Sequence, residues 1–267
     1  MPLDHCSING KIVPINQAVL PVTNIEFAYG FGAYEHLRVV KGGAQYCDEH
    51  LERLFRSARI IGLEHRLSTQ QLTQWIDRLT SKIQEPAYNL KILLVGASEP
   101  KDARCFFLPM APLFPKKEWY THGVSTTVVS FERPFPQAKT LSMLGSYLAY
   151  RQAKQCGCYD ALAVDSKGFI REGTRTNFFA VKGRTLCKPP SKLILDGVTQ
   201  RHVLAIAKRN GFKVVDRLVK PDALKSYDGA LLTGTSIGVV PIRSVDTFTF
   251  QSIADTIKEL MRVFGRN

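Results

Sequence analysis

Lys139 stands among small and apolar neighbours, Ala138-Lys139-Thr140-Leu141-Ser142. Such neighbours favour desolvation, which lowers an amine's pKa and makes it nucleophilic. Downstream, Glu172-Gly173-Thr174-Arg175-Thr176-Asn177-Phe178-Phe179 sets a carboxylate ahead of small polar residues, an Asn and two aromatics. That order reads as a turn feeding a strand. Gly197-Val198-Thr199 opens a helical pattern, so Val198 and Thr199 offer backbone N–H groups, a hydroxyl and the positive helix end to an anion. Thr233-Gly234-Thr235-Ser236 follows an apolar strand, and a glycine flanked by hydroxyls lets N–H groups converge on an anion. Arg53, in His50-Leu51-Glu52-Arg53-Leu54, is placed to add a bidentate phosphate contact. Each also has a plainer reading: a solvated lysine, a turn carboxylate, an N-cap threonine, a polar loop, an exposed helix arginine.

Taken together, an amine, a carboxylate and several phosphate-binding groups are what pyridoxal 5'-phosphate (PLP) requires. The cofactor bonds to a lysine, and an acidic partner on its pyridine nitrogen makes the ring an electron sink. No metal site is expected, because the close pair Cys156-Gly157-Cys158 suits neither a zinc pair nor a CxxC redox site.

The chain has 267 residues, room for one large domain or two ordinary ones, and its 45% hydrophobic content is enough for a substantial core. A formal net charge of +13 raises the question of nucleic acid. The basic clusters are short, Lys116-Lys117 and Arg201-His202, with no aromatic interleaving, which favours anionic small molecules instead. No apolar run is long enough to span a bilayer, and Met1 to Cys6 lacks a secretory pattern. Six scattered cysteines fit reduced thiols, so a cytoplasmic protein with no membrane partner is expected.

The elements that must position these groups are legible in outline. Asn9-Gly10 marks a hairpin between short strands, and Tyr34 to Val40 reads as a strand turned back at Lys41-Gly42-Gly43. Leu51, Leu54, Phe55, Ala58 and Ile61 fall at helical spacing. Ser68 with Gln71 forms a capping box ahead of Leu72, Trp75, Ile76 and Leu79. Strands are expected at 91–96, 104–108, 124–130, 161–165, 177–181, 212–216 and 229–233, with helices at 144–156, 199–210 and from Ile253. The two prolines and charges of 111–123 read as a linker. The expected organisation is an N-terminal α+β domain over 1–112, a linker over 113–123, and a C-terminal α/β domain over 124–267 carrying the lysine and cofactor site, with a cleft between the two domains.

In this order the motifs resemble the fold-type IV PLP enzymes, the class IV aminotransferase family of branched-chain aminotransferases, D-amino-acid aminotransferases and aminodeoxychorismate lyases. The resemblance rests on Glu172 to Phe179, on Gly197-Val198-Thr199, on Lys139-Thr140-Leu141-Ser142 with Ser where Asn is usual, on Tyr29 to Glu35, and on His50 to Leu54. It implies a two-domain α/β (α+β) fold-type IV enzyme, D-amino-acid aminotransferase-like, and a homodimer. It further implies that Lys139 forms the internal aldimine and shuttles the proton, and that Glu172 holds the pyridine nitrogen. Arg53, Val198, Thr199, Thr235 and Ser236 would hold the phosphate, and Tyr34 would face the substrate.

Within the family, the aromatic-Glu pair Tyr34-Glu35 favours a transaminase, moving an amino group between an amino acid or amine and a 2-oxo acid. The alternative is aminodeoxychorismate lyase, an elimination to 4-aminobenzoate and pyruvate. Arg104 lies where D-amino-acid enzymes place a carboxylate trap, but Phe106 replaces the trap's His. Arg175 is bulky and charged inside the Glu172 motif; it either binds a second substrate carboxylate or points to solvent. Arg38 is a further anion contact, or a strand residue facing away.

Overall fold

The computed structural model describes residues 3–111 and 115–265. By contact the chain forms two units, Met1–Leu113 with Ala138–Met143, and Phe114–Gln137 with Leu144–Asn267.

The first unit is built on β1 (His5–Ile8), β2 (Lys11–Pro14), α1 (Ile25–Ala28), β3 (Gly32–Val40), β4 (Gly43–Ala44), α2 (Cys47–Ile60), α3 (Thr69–Thr80), β5 (Ala87–Val95) and β6 (Arg104–Met110). Its six-stranded sheet has the order β2-β1-β6-β5-β3-β4. Asn9 and Gly10 take positive φ at the β1–β2 turn, as the Asn-Gly signal predicts. Alternation along β3 buries Ala33, Leu37 and Val39 on one face, with Leu90, Ile92 and Leu94 of β5 and Phe107 of β6. The apolar stripe Leu51, Leu54 and Ala58 of α2, and Leu72, Ile76 and Leu79 of α3, complete that core. The Ser68 capping box is present.

The second unit contains α4 (Lys117–His122), β7 (Val124–Ser130), α5 (Leu144–Gln155), β8 (Asp160–Val164), β9 (Ile170–Gly173), β10 (Asn177–Lys182), β11 (Thr185–Lys188), α6 (Val198–Arg209), β12 (Lys213–Asp216), β13 (Gly229–Gly234), β14 (Gly238–Val245), β15 (Phe248–Thr249) and α7 (Asp255–Phe264). The strands run β12-β11-β10-β13-β14-β7-β8-β9, and β9 pairs back onto β10, closing the strands from β10 to β9 into a ring. Phe178, Ala180, Leu232, Val240 and Leu162 fill one core of this unit; Phe179, Val181 and Leu231 pack under α6 and α7 in another.

Three expectations are corrected. The segment 113–123 is not a plain linker, since it carries α4, whose Tyr120 hydroxyl donates to the Ile237 carbonyl at 2.8 Å. Residues 113 and 114 of that segment lie outside the described residues. Glu172 sits on β9 rather than in a turn; the turn is Thr174 to Thr176. Lys139 groups with the first unit and not with 124–267, because its backbone bonds to β3 and α2.

Candidate active site

In the first unit, two glycines make room for the lysine segment. A Cβ on Gly32 would lie 2.5 Å from Leu141 Cδ1, and Gly30, at φ +70°, lies against Ser142. The segment docks on β3: Tyr34 N–H donates to the Lys139 carbonyl and Leu141 N–H to the Gly32 carbonyl, both at 2.9 Å. The Tyr29-Gly30-Phe31-Gly32 motif thus has a packing cause. Lys139 N–H donates to Ser57 Oγ at 3.0 Å, and Ser57 in turn donates to the Arg53 carbonyl at 2.8 Å. These bonds leave the Lys139 side chain half-exposed, its Nζ 3.2 Å from Tyr34 Oη and 4.3 Å from that ring's centroid.

Beneath it, α2 carries a buried polar stripe at helical spacing, His50, Arg53 and Ser57, beside its apolar one. Arg53 donates from Nε to Glu35 Oε1 at 2.7 Å and from Nη2 to Oε2 at 2.8 Å, a bidentate pair in which Glu35 is fully buried. His50 Nδ1 lies 2.7 Å from Glu35 Oε2. Burial alone would raise the Glu35 carboxyl, but the Arg53 guanidinium, with the His50 hydrogen bond, outweighs it and holds Glu35 well below the usual carboxylate range. Glu35 is legible in the sequence as half of the Tyr34-Glu35 pair, but its role as the buried partner of Arg53 is not. Its signal was an acid at an inward position between Ala33 and Leu37.

In the second unit, Glu172 and Asn177 are cross-strand partners where β9 meets β10, closing the ring. Asp160, fully buried, shapes the turn between them. Its Oδ1 accepts from Thr174 N–H at 3.2 Å and Thr174 Oγ1 at 2.5 Å, and its Oδ2 accepts from Thr176 Oγ1 at 2.9 Å. With both threonines pinned inward, Arg175 is exposed at the tip, its guanidinium 4.1 Å from the Tyr150 ring centroid. The Arg175 carbonyl lies 3.8 Å from a Cβ built on Gly234, so this turn abuts the hairpin turn carrying Thr235 and Ser236.

Glu172 is 8% exposed and lines a pocket with Phe131, Arg133, Thr174 and Leu193. Arg133 donates to its Oε1 from Nε at 2.8 Å and Nη2 at 2.6 Å, and Nη2 also donates to the Pro136 carbonyl. Glu172 Oε2 accepts from Leu195 N–H at 3.2 Å, while Asn177 Nδ2 donates to the Leu195 carbonyl at 2.8 Å. Both ends of the Glu-x-x-x-x-Asn motif therefore grip Leu195, which leads through Gly197 into α6. Among the described residues no side chain caps α6, which leaves its first-turn N–H groups for an anion. Thr199 and Val198 are buried in that first turn. Arg133 was missed because it bonds Glu172 across 39 residues with no local pattern.

A Cβ on Gly197 would lie 2.0 Å from Asn177 Oδ1, so only glycine allows this approach. Gly197→Ala is therefore expected to displace the Asn177 amide and the helix entrance, weakening phosphate-ester binding by about tenfold or more, readable by fluorescence titration with PLP.

A bound PLP fits this chemistry on three observations: an uncapped helix N-terminus held by a glycine cradle, a carboxylate fixed to the same segment, and the buried Thr233 Oγ1, which has no hydrogen-bond partner among the described residues. Residues 32–245 match the family model for amino-transferase class IV. The chain belongs to the class IV aminotransferase family. A putative branched-chain-amino-acid aminotransferase of Methanocaldococcus jannaschii is 28% identical over 96% of this chain and 94% of its own. The branched-chain aminotransferase of Escherichia coli superposes with a TM-score of 0.90 at 23% identity, covering 98% and 94% of the two chains. A further branched-chain aminotransferase, from T.th., solved with pyridoxamine 5'-phosphate, superposes at 0.87 with 22% identity over 98% and 95%. This mixed α/β aminotransferase shares the fold-type IV architecture, and its relatives favour transamination over the lyase reaction. Among the described residues no helix is long and apolar enough to cross a membrane.

Proposed function

We propose that this aminotransferase is PLP-dependent and moves an amino group between an amino acid, or amine, and a 2-oxo acid. The observation that carries the reading is the grip of Glu172 and Asn177 on Leu195, which sets a carboxylate and an open helix N-terminus in one rigid frame. A flat ring with a nitrogen at one side and a phosphate at the other needs that pairing. When bound, PLP supplies an electrophilic carbon for the substrate nitrogen and an electron sink for its α-carbon.

In this reading Lys139 would hold the cofactor through Nζ and move the proton at the substrate α-carbon, with its bond to Tyr34 Oη orienting it. Glu172, oriented by Arg133, would accept the pyridine N–H. The N–H groups of Val198 and Thr199, the Thr199, Thr235 and Ser236 hydroxyls, and Arg53 would hold the phosphate. Glu35 fixes the Arg53 guanidinium in place. Substrate contacts are assigned to Tyr34, Arg38, Arg104 and Arg175. Tyr34, Arg38 and Arg104 occupy one face of the first sheet by register, which supports their grouping.

The relatives' names point to a branched-chain or D-alanine substrate class for those proteins. Here we take amino acids with their 2-oxo acids as substrates, a homodimer as the working assembly, and the cytoplasm as the compartment, which six free thiols support. Two half-reactions assayed separately test the reading. Amino donor alone should convert the cofactor and release a 2-oxo acid stoichiometrically, with turnover only when an acceptor is added. Continuous pyruvate and arylamine release from aminodeoxychorismate without an acceptor would replace it with the lyase.

A further inference from the structure

Ser57 is fully buried on α2, one turn after Arg53 and on the same face. Its neighbours Leu54 and Ala58 belong to the apolar core, and alanine is the better helix former at an interior position. A hydroxyl sealed there needs partners. Its O–H donates back to the Arg53 carbonyl, four residues earlier, at 2.8 Å. With its one proton so directed, its lone pairs are left for the Lys139 N–H, which donates to Oγ at 3.0 Å.

That bond is one of two holds on the lysine backbone. The Lys139 carbonyl accepts from Tyr34 N–H of β3 at 2.9 Å, and Thr140 bridges to Ala33 beside it. The N–H and the carbonyl of one residue lie on opposite sides of its Cα, in two different peptide planes. Holding both planes fixes the direction of the Cα–Cβ bond. Held by β3 alone, the residue would swing about the remaining bonds, and the base of its flexible four-carbon side chain would swing with it. The side chain so held ends with Nζ 3.2 Å from Tyr34 Oη.

We propose that Ser57 is a positioning residue: its hydroxyl ties the lysine segment to the turn of α2 that carries Arg53, and so sets where the Lys139 amine meets the cofactor. The proposal rests on the reading of Lys139 as the lysine that bonds PLP, and it adds a division of labour. The strand β3 seats the segment, Glu35 aims the Arg53 guanidinium, and Ser57 registers one against the other through the Arg53 carbonyl. Misplacing a reacting group by about 1 Å costs on the order of a hundredfold in rate, so the loss of one tie reaches the chemistry without touching it.

The test compares Ser57→Ala and Ser57→Thr with the unmodified protein, using PLP and pyridoxamine 5'-phosphate. The second ligand carries the same phosphate with an amine in place of the aldehyde, so it fills the site without bonding to a lysine. Ser57→Ala should slow the bonding of PLP to the lysine, followed by its absorbance change, by about tenfold or more. Pyridoxamine 5'-phosphate should still bind within about threefold of the unmodified protein, and kcat for transamination should fall while KM stays within about threefold. Ser57→Thr keeps a hydroxyl that can bond the carbonyl four residues back, and it should recover most of the loss. Thermal unfolding controls for the fold of both variants. An unchanged PLP reaction in Ser57→Ala, or equal losses for the two ligands, overturns the proposal; equal losses would leave Ser57 a structural role only. If the unmodified protein does not bond PLP, the reading of Lys139 fails instead, and amide hydrogen exchange at Lys139 decides the tie without cofactor. Exchange faster by about tenfold or more in Ser57→Ala upholds the tie, and equal exchange in both proteins overturns it.

Discussion

Lys139→Ala is expected to lower kcat/KM for transamination by roughly 10⁴-fold, since it removes both the nucleophile and the group that moves the α-proton. Its fold should persist. Lys139 contributes to packing through its backbone, by the bonds to Ser57 Oγ and from Tyr34 N–H, which alanine retains. The side chain touches the half-exposed Tyr34, and its loss also removes a repulsive charge near Lys91 and His36. Lys139→Arg separates charge from chemistry. The guanidinium keeps a cation beside Tyr34 but does not release its proton at working pH, so it should be as inactive as alanine. Stopped-flow measurement of the first half-reaction checks both variants, with thermal unfolding as the control. Activity within tenfold of the unmodified enzyme in either variant would remove Lys139 from the reaction.

Glu35→Ala is expected to cost about 3–5 kcal/mol of folding stability, the range for breaking a buried ion pair from one side. Glu35 accepts both arms of the Arg53 fork and faces His50 Nδ1, and all three side chains are essentially sealed from water. Deleting the acid leaves a guanidinium and an imidazole with lost partners, and His50 Nε2 already lacks one among the described residues. Chemical denaturation at neutral pH measures the loss. The sign with pH follows from the depressed carboxyl. The folded-state value lies below the unfolded one near 4.3, so the stabilisation is complete above about pH 5 and is lost as pH falls toward the folded value. The unmodified protein should therefore lose stability in acid more steeply than Glu35→Ala. The same variant should bind PLP more weakly, because Arg53 loses the anchor that aims its guanidinium. A loss under about 1 kcal/mol would show that Arg53 finds equivalent partners elsewhere.

Local chemistry was the part of this molecule most open to reading. The Asn9-Gly10 turn, the Ser68 capping box and the apolar stripe of α2 are set by neighbours in sequence, and each appears where its pattern predicts. The motifs around Glu172, Gly197 and Gly30 to Gly32 were also visible as residues. Their physical cause was not, because it lies in pairings between distant strands. Gly197 is required by Asn177, and Gly32 by Leu141, contacts no local window contains. The sequence reading put Lys139 in the C-terminal domain for the same reason. A six-residue segment follows its hydrogen bonds to β3 and α2 rather than its place in the chain. Glu35 was legible only as a family marker, and its bond to Arg53 was not, because a charged residue on a strand takes its meaning from which face it occupies and what pairs with it. Alternation along β3 did contain the cue that Glu35 points inward.

The central claim, that Lys139 carries the cofactor, has a direct chemical test. The protein is loaded with PLP, reduced with borohydride, digested and mapped by mass spectrometry. A single pyridoxyl group on the peptide containing Ala138-Lys139-Thr140 is the expected result. A stoichiometric pyridoxyl group on another lysine, Lys91 included, or none at all after loading, would contradict it.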